Sequence, residues 1–342
     1  MRRATLAVVV AVLLVGCSWP VLAQTASRAP SPPPHFNSGI ELVPLEVCVK
    51  NRDGQPTPGL QPSDFLILED DVLQRIAFFF PDQHVRLAVT LLVDASQSMK
   101  GERLERARAA AAGFIDVLRD GDLVEVMSFN ERADLRYPLG PDRREAAAAL
   151  GAIQAGGRTG LHEAVLAALG RFARSDRPTS DYRQVLVLLS DGEDTSSLPT
   201  FDDVLDEARR GQVLVYTVTL PGEKGTAAGP GWQMTRLARD TGGRTVAART
   251  LQELLPLYQE IGTELIHLYR VGYVPASSRR GAGWRTIKVS VPGRDVVVRT
   301  RTGYYARGTR IPRQSEWQRP RQNPGMQVAR NPSVPGTHGN GR

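Results

Sequence analysis

Short apolar runs alternate with longer segments of helical periodicity between His84 and Ile266. The short runs are typical of buried strands, and their alternation with amphipathic helices is typical of a mostly parallel sheet. We predict strands at 86–93, 122–129, 184–190 and 213–220, with a short antiparallel edge strand near 132–136. We predict helices at 101–119, 143–154, 161–173, 201–210, 232–240 and 251–268. The pattern therefore indicates an α/β fold with a doubly wound sheet flanked by helices.

Both flanks of this region change to the period of two that is typical of strands with one buried face. In the first flank, an alternating stretch from Ile40 to Lys50 precedes a tight turn and further strand-like runs up to Phe80. In the second flank we predict strands at 269–274, 284–291 and 295–301. We expect the flanks, 40–82 and 269–306, to form one small β domain, from which the α/β domain at 83–268 emerges as an insertion.

The first 23 residues have the pattern of an export signal. Two arginines follow Met1, and the apolar run Leu6–Val15 is too short for a membrane span. Cleavage could occur before Cys17, because Leu14-Val15-Gly16-Cys17 resembles a lipobox, or after Ala23, which follows small residues at suitable offsets. The sequence leaves both sites open. We therefore expect an exported protein that is periplasmic, extracellular or a membrane-anchored lipoprotein, with Cys17 as the only membrane attachment.

The composition characterises the two ends of the mature chain and its net charge. Residues 24–39 form a Pro/Ser-rich tether, and residues 307–342 are rich in Arg, Pro, Gln and Gly, so we expect a disordered basic tail. The 342 residues carry a net charge of +7, and the basic excess concentrates after Arg279. This charge could favour an anionic envelope surface, whereas an exported chain without a recognition motif is not expected to bind nucleic acid. The two cysteines, Cys17 and Cys48, exclude a disulfide framework.

Oxygen-bearing side chains follow two of the predicted strands. Asp94, Ser96 and Ser98 come directly after the apolar run Leu87–Val93, and Asp191 follows the run that ends at Ser190. Thr159 lies in a Gly-rich crossover loop. Because ligands of open parallel sheets bind beyond the carboxyl ends of the strands, we expect these five side chains to meet in one pocket. The alternative is that the two serines cap the helix expected near Gly101 and that Asp191 opens a turn.

This ligand set resembles the metal-ion-dependent adhesion site (MIDAS) of von Willebrand factor type A (VWA) domains. The segment Leu237–Val246 also resembles the helix, turn and strand near the end of VWA domains. The resemblance implies that Ser96, Ser98 and Thr159 bind a metal directly or through water, while Asp94 and Asp191 often act through water. Hydroxyls and carboxylates suit Mg²⁺, and Ca²⁺ or Mn²⁺ is also possible. The implied function is a non-enzymatic, adhesion-type protein-binding module whose metal accepts an acidic residue of a partner.

The flanks resemble those of exported bacterial VWFA-related proteins described from acidobacteria. The resemblance rests on Asp53-Gly54, Gly59-Leu60, Asp64-Phe65, Glu69-Asp70, Tyr269–Pro275, Trp284–Ser290 and Arg299–Tyr305, and with these segments it spans residues 40–306. That group implies a fold and a type of site but no partner.

Two other functions remain open at this stage. One is a scaffold or assembly subunit of an envelope complex, which would share the fold and the metal site. The other, less favoured, is a metal-dependent hydrolase that uses the acids Asp191, Glu193 and Asp194, with His162 as a base. We expect no enzyme, because successive acids on a turn need not face a common substrate and His162 is expected on a helix surface.

Overall fold

The computed structural model describes residues 42–81, 85–174, 182–190, 194–220, 230–276 and 283–306. Its strands in chain order are β1 (Val43–Asn51), β2 (Leu66–Glu69), β3 (Val72–Gln74), β4 (Ile76–Phe80), β5 (Arg86–Asp94), β6 (Leu123–Phe129), β7 (Ala133–Gly140), β8 (Tyr182–Ser190), β9 (Leu214–Thr219), β10 (Thr245–Ala247), β11 (Tyr269–Tyr273), β12 (Trp284–Ser290), β13 (Val296–Arg299) and β14 (Gly303–Tyr305). Its α-helices are α1 (Glu102–Val117), α2 (Arg143–Gly151), α3 (Leu161–Ala173), α4 (Phe201–Arg210), α5 (Pro230–Thr241) and α6 (Leu254–Ile266).

A six-stranded sheet with the order β10-β9-β8-β5-β6-β7 forms the centre of the α/β region. All neighbouring pairs are parallel except β6 and β7, which are antiparallel. Strands β5 and β8 are adjacent and almost wholly buried, as their unbroken apolar sequences require. The prediction of a doubly wound, mostly parallel sheet with one antiparallel edge strand is confirmed.

Helices cover both faces of this sheet because its strands present apolar side chains in both directions. Alternate residues of β5, such as Leu87 and Val89, share one core with α1, α2 and α6. Leu92 and the β8 residues Leu186 and Leu188 belong to a second core with α3, α4 and α5. The sheet is therefore the middle layer of three.

Strands from the two flanks pair with one another in two further four-stranded sheets, with the orders β13-β1-β11-β4 and β14-β12-β2-β3. Strand β1 is antiparallel to both β11 and β13, and β12 is antiparallel to β2. The two sheets share a core that contains Val47, Ile67, Tyr269 and Ile287. The domain boundaries proposed from the sequence stay a prediction.

The structure corrects several predicted ends. The edge strand near 132–136 continues to Gly140, and the helix expected at 143–154 stops at Gly151. The segment 251–268 starts with a 3₁₀ turn before α6 begins at Leu254, with Pro256 in its first turn, where a missing N–H costs no helical bond. Strand β14 was not predicted, because a three-residue strand carries too little pattern. Within the described ranges, no helix has both the length and the apolar character that crossing a bilayer requires.

Candidate metal centre

The carboxylate of Asp94 is buried at the carboxyl end of β5 and held from two sides. Its Oδ1 accepts a hydrogen bond from the Ser96 amide at 2.8 Å, and its Oδ2 accepts one from the Ser190 hydroxyl, also at 2.8 Å. Ser190 is the last residue of the neighbouring strand β8. The end of β8 therefore orients the acid at the end of β5, which sequence reasoning missed.

The hydroxyls of Ser96 and Ser98 lie side by side, with their Oγ atoms 3.0 Å apart. Ser96 is buried and Ser98 is exposed, so the pair opens outward from the end of the sheet. Mg²⁺ binds oxygen at about 2.0–2.1 Å in an octahedron, which puts adjacent ligand oxygens about 2.9 Å apart. The observed separation matches two adjacent octahedral positions.

Neither serine is the N-cap residue of the first helix; the alternative that the serines act as caps and Asp191 opens a turn stays untested. Helix α1 has Gly101 at its N-cap and no side-chain cap bond, and Ser96 makes none to the 3₁₀ turn that follows it.

Backbone hydrogen bonds attach the loop of Thr159 to the loop of the two serines. The amide of Gly156 donates to Ala95 O at 2.8 Å, and the amide of Gln97 donates to Gly157 O at 2.9 Å. Gly157 has a φ of +80°, a conformation that favours glycine. Asn130, which follows β6, donates through Nδ2 to Gly156 O at 2.9 Å, so a third strand end also supports this loop.

Thr159 is buried and held by its backbone against the segment after β8. Its amide donates to Thr195 Oγ1 at 3.0 Å, and its carbonyl accepts from the amides of Thr195 and Ser196 at 2.8 and 3.1 Å. Asp194 Oδ1 accepts from the amide of Leu161, where its charge favours the N-terminus of α3. These supporting residues follow strand ends, but only the fold shows which of them make contact.

The fifth predicted ligand, Asp191, lies outside the described residues, as does Glu193. The structure brings Asp94, Ser96, Ser98 and the Thr159 loop together at the ends of β5 and β8.

His162 is buried on α3, so its expected position on a helix surface is wrong. Its Nδ1 lies 3.0 Å from Pro199 O and 3.2 Å from Asp194 Oδ2, and its ring packs near that of Phe201. Asp194 also accepts a hydrogen bond from the amide of Leu161, the first residue of α3. Two of the four residues of the hydrolase hypothesis, His162 and Asp194, therefore have structural contacts.

The donor set fits a hard divalent cation. It consists of neutral hydroxyls beside a carboxylate, and in the described part of the chain no group of three His, Cys, Asp or Glu residues could hold a metal instead. Hydroxyl and carboxylate oxygens are ligands of Mg²⁺ and Ca²⁺, whereas zinc prefers nitrogen and sulfur.

The family model for the von Willebrand factor type A domain matches residues 88–256. These residues are a VWA domain. VWA domains commonly hold a divalent metal at a MIDAS, generally mediate protein–protein interactions and are generally not enzymes. The resemblance seen in the sequence is thus confirmed for the family; the acidobacterial group stays a prediction.

Curated relatives include a UPF0353 protein of Mycolicibacterium paratuberculosis, which is 28% identical over 64% of this chain and 72% of its own length. Inter-alpha-trypsin inhibitor heavy chain H6 of Homo sapiens is 25% identical over 73% of this chain. The chain spans only 21% of that human protein.

Similar solved structures include a von Willebrand factor type A protein from Catenulispora acidiphila, with 14% identity and a TM-score of 0.49 over 79% of this chain and 74% of that one. Another is proximal thread matrix protein 1 from the mussel byssus with a zinc-occupied MIDAS motif. It is 13% identical, with a TM-score of 0.47 over 58% of this chain and 50% of that one.

Proposed function

We propose that this protein is a non-enzymatic, exported binding module that captures an acidic residue of a protein partner through Mg²⁺. The ligands would be Asp94, Ser96, Ser98, Thr159 and Asp191. The observation that carries the proposal is the pair of Ser96 and Ser98 hydroxyls, 3.0 Å apart beside a buried and oriented Asp94.

The charges of the proposed ligands explain why the metal would accept a partner's acid. Only Asp94 and Asp191 carry charge, so they neutralise a divalent ion without placing excess negative charge around it. The hydroxyls of Ser96, Ser98 and Thr159 add dipoles only. The ion would stay electrophilic, and a carboxylate from another protein would complete its coordination. Both oxygens of Asp94 already accept hydrogen bonds, which supports a role through water.

The location of the partner follows from the predicted export signal. A protein that leaves the cytoplasm meets partners in the cell envelope or outside the cell. Divalent cations at millimolar concentration commonly occupy weak extracellular sites. The basic segment after Arg279 would add attraction to an anionic envelope surface.

Titration calorimetry with Mg²⁺, Ca²⁺ and Mn²⁺ tests the metal site. We expect one ion per chain for the wild type and a loss of at least tenfold in affinity for Ser96→Ala and for Asp94→Ala. Ser290→Ala removes an exposed hydroxyl of β12 far along the chain and is the matched control, expected to bind as the wild type does. Equal metal affinity in Ser96→Ala and Ser290→Ala would contradict the assigned ligands.

Capture of envelope proteins tests the partner proposal. We expect proteins that bind the wild type in Mg²⁺ to be released by chelator and to be absent with Ser96→Ala, because both changes remove the same contact. Partners retained equally in chelator would place the binding surface elsewhere on the molecule.

A further inference from the structure

A cavity of about 640 Å³ lies between the flank strands and the amino-terminal ends of strands in the central sheet. This volume falls within the range of about 300–1,000 Å³ that is usual for small-molecule sites. Much of its wall is apolar and is formed by Leu42, Pro44, Phe78, Phe80, Val213 and Leu214. The alternation of β4 explains part of this wall, because Phe79 packs into the flank core while Phe78 and Phe80 point to the other face.

The cavity is distinct from the proposed metal site. Tyr182 and Gln184, which line it, begin β8, whereas Ser190 ends the same strand beside Asp94. Eight residue steps along a parallel strand span about 26 Å. The two sites therefore lie at opposite ends of the strands of the central sheet.

Three arginines line the cavity with two carboxylates, and both carboxylates are already engaged. Glu46 accepts from Arg270 Nε at 2.6 Å and, behind the cavity wall, from Arg183 Nε at 2.7 Å. Asp240 lies 2.7 Å from Nη2 of Arg209. Each acid thus has its own cationic partner.

The third arginine, Arg301, interacts with the charge of Glu46 without forming a direct ion pair. Across the described part of the chain no carboxylate forms an ion pair with it, and its buried Nε has no hydrogen-bond partner. Its guanidinium carbon lies 5.4 Å from the centre of the Tyr304 ring. Burial lowers the pKa of Arg301, because the charges of Tyr273, Tyr304 and Glu46, which act in the opposite direction, offset the cost of desolvation only in part.

The position of Arg301 is set by the backbone on both sides. The next amide, of Thr302, donates to Asp240 O at 3.3 Å. A Cβ at Gly242 would lie 2.7 Å from the amide nitrogen of Arg301, so the chain passes closely over the end of α5. The backbone of Arg301 is therefore held in place where this residue lines the cavity.

We propose that this cavity binds a small amphipathic anion, with its apolar body against Phe78, Phe80 and Leu42 and its anionic group on Arg301. An anion would supply a directly paired counter-charge and a hydrogen-bond acceptor for Nε of Arg301, and the apolar wall would exclude water from the rest of the ligand. A free fatty carboxylate and an anionic membrane lipid share this chemistry; the volume of about 640 Å³ favours the smaller free molecule.

Calorimetry with monomeric dodecanoate tests the site, with dodecanol as the neutral ligand of equal chain length. We expect one dodecanoate per full-length chain. Arg301→Met should weaken dodecanoate at least tenfold and dodecanol less than twofold, because only the anionic group is lost. Arg294→Met makes the same charge change at an exposed arginine outside the cavity and should leave both affinities unchanged.

Phe80→Ser keeps the test decisive should Arg301→Met fold poorly. Phe80 is about half exposed, at 49%, so its loss is tolerable for folding, and it should weaken both ligands severalfold. The proposal is overturned by the absence of saturable dodecanoate binding to the wild type, or by equal dodecanoate affinity in Arg301→Met and Arg294→Met. Binding to phosphatidylglycerol vesicles without binding of free dodecanoate would overturn it in favour of a membrane lipid.

Discussion

At the scale of single residues, Glu264 on α6, outside the proposed metal site, is an acid that three cations surround. Its carboxylate accepts from Lys50 Nζ at 2.6 Å, Arg244 Nε at 2.9 Å and the Tyr216 hydroxyl at 2.6 Å, and it also pairs with Arg299. Burial alone would raise the pKa of Glu264, but the neighbouring charges and hydrogen bonds outweigh it and lower the pKa from 4.5 to about 2.

The lowered pKa of Glu264 predicts an acid-sensitive contribution to stability. Because the folded pKa is below the unfolded value, the contribution is fully present above about pH 4.5 and is lost as the pH falls toward 2. Glu264→Gln should reduce the free energy of unfolding at pH 7 by about 3 kcal/mol, since it leaves buried cations without their acid. Urea unfolding between pH 2 and 7 measures this. The half-exposed Glu260→Gln should change stability little, and equal losses for the two variants would contradict the prediction.

The same scale separates what the sequence predicted at the candidate site from what it could not. Asp94, Ser96 and Ser98 were predictable from the sequence because they follow one apolar run within five positions. The support from Ser190 was not, because this contact joins residues that are 96 positions apart and depends on which strands are neighbours. His162 was misplaced for a similar reason, since the segment that buries it comes from residues 194–201.

At the scale of elements, the strands and helices of the α/β region were predictable because each buries a continuous or periodic apolar pattern. The ends of these strands and helices were harder to predict from the sequence. The extension of the edge strand to Gly140 depends on pairing with β6, and the 3₁₀ start of the last helix depends on local packing. The short flank strands β3 and β14 have three residues each, too few to show any period.

The pairing of β11 with β4 requires glycine at position 272. A Cβ there would lie 1.9 Å from the ring of Phe78, which faces Gly272 across the strand pair. Gly272→Ala should therefore lower the free energy of unfolding by about 1–3 kcal/mol, the usual cost of overpacking. Denaturant unfolding measures this value.

A double-mutant cycle is the control for the cause of this loss. In a Phe78→Ala background, Gly272→Ala should cost much less, because the clashing ring is absent. An undiminished cost in that background would show that the strain arises from another contact.

At the scale of the whole molecule, a buried arginine connects the flank sheets to the VWA domain. Arg183, on β8 of the central sheet, is 2% exposed. It donates to Glu46 on β1 at 2.7 Å and to the carbonyls of Leu265 and Leu268 at 2.5 and 2.8 Å, at the end of α6. One guanidinium therefore joins the central sheet, the last helix and a flank strand, and this connection suggests that the flanks and the VWA domain unfold together.

Arg183→Met should test that cooperativity, because it leaves two carbonyls and part of the Glu46 carboxylate without a donor. We expect a loss of about 3–5 kcal/mol in the free energy of unfolding, as for other broken buried ion pairs. The exposed Arg52→Met, which breaks the surface pair with Asp295, should cost less than about 1 kcal/mol. Far-ultraviolet circular dichroism and the fluorescence of Trp284 in β12, isolated by replacing the other tryptophans with Phe, should report one coincident transition. Two separated transitions in this single-tryptophan protein with Arg183 intact would mean that the flank sheets unfold independently and that Arg183 does not couple them.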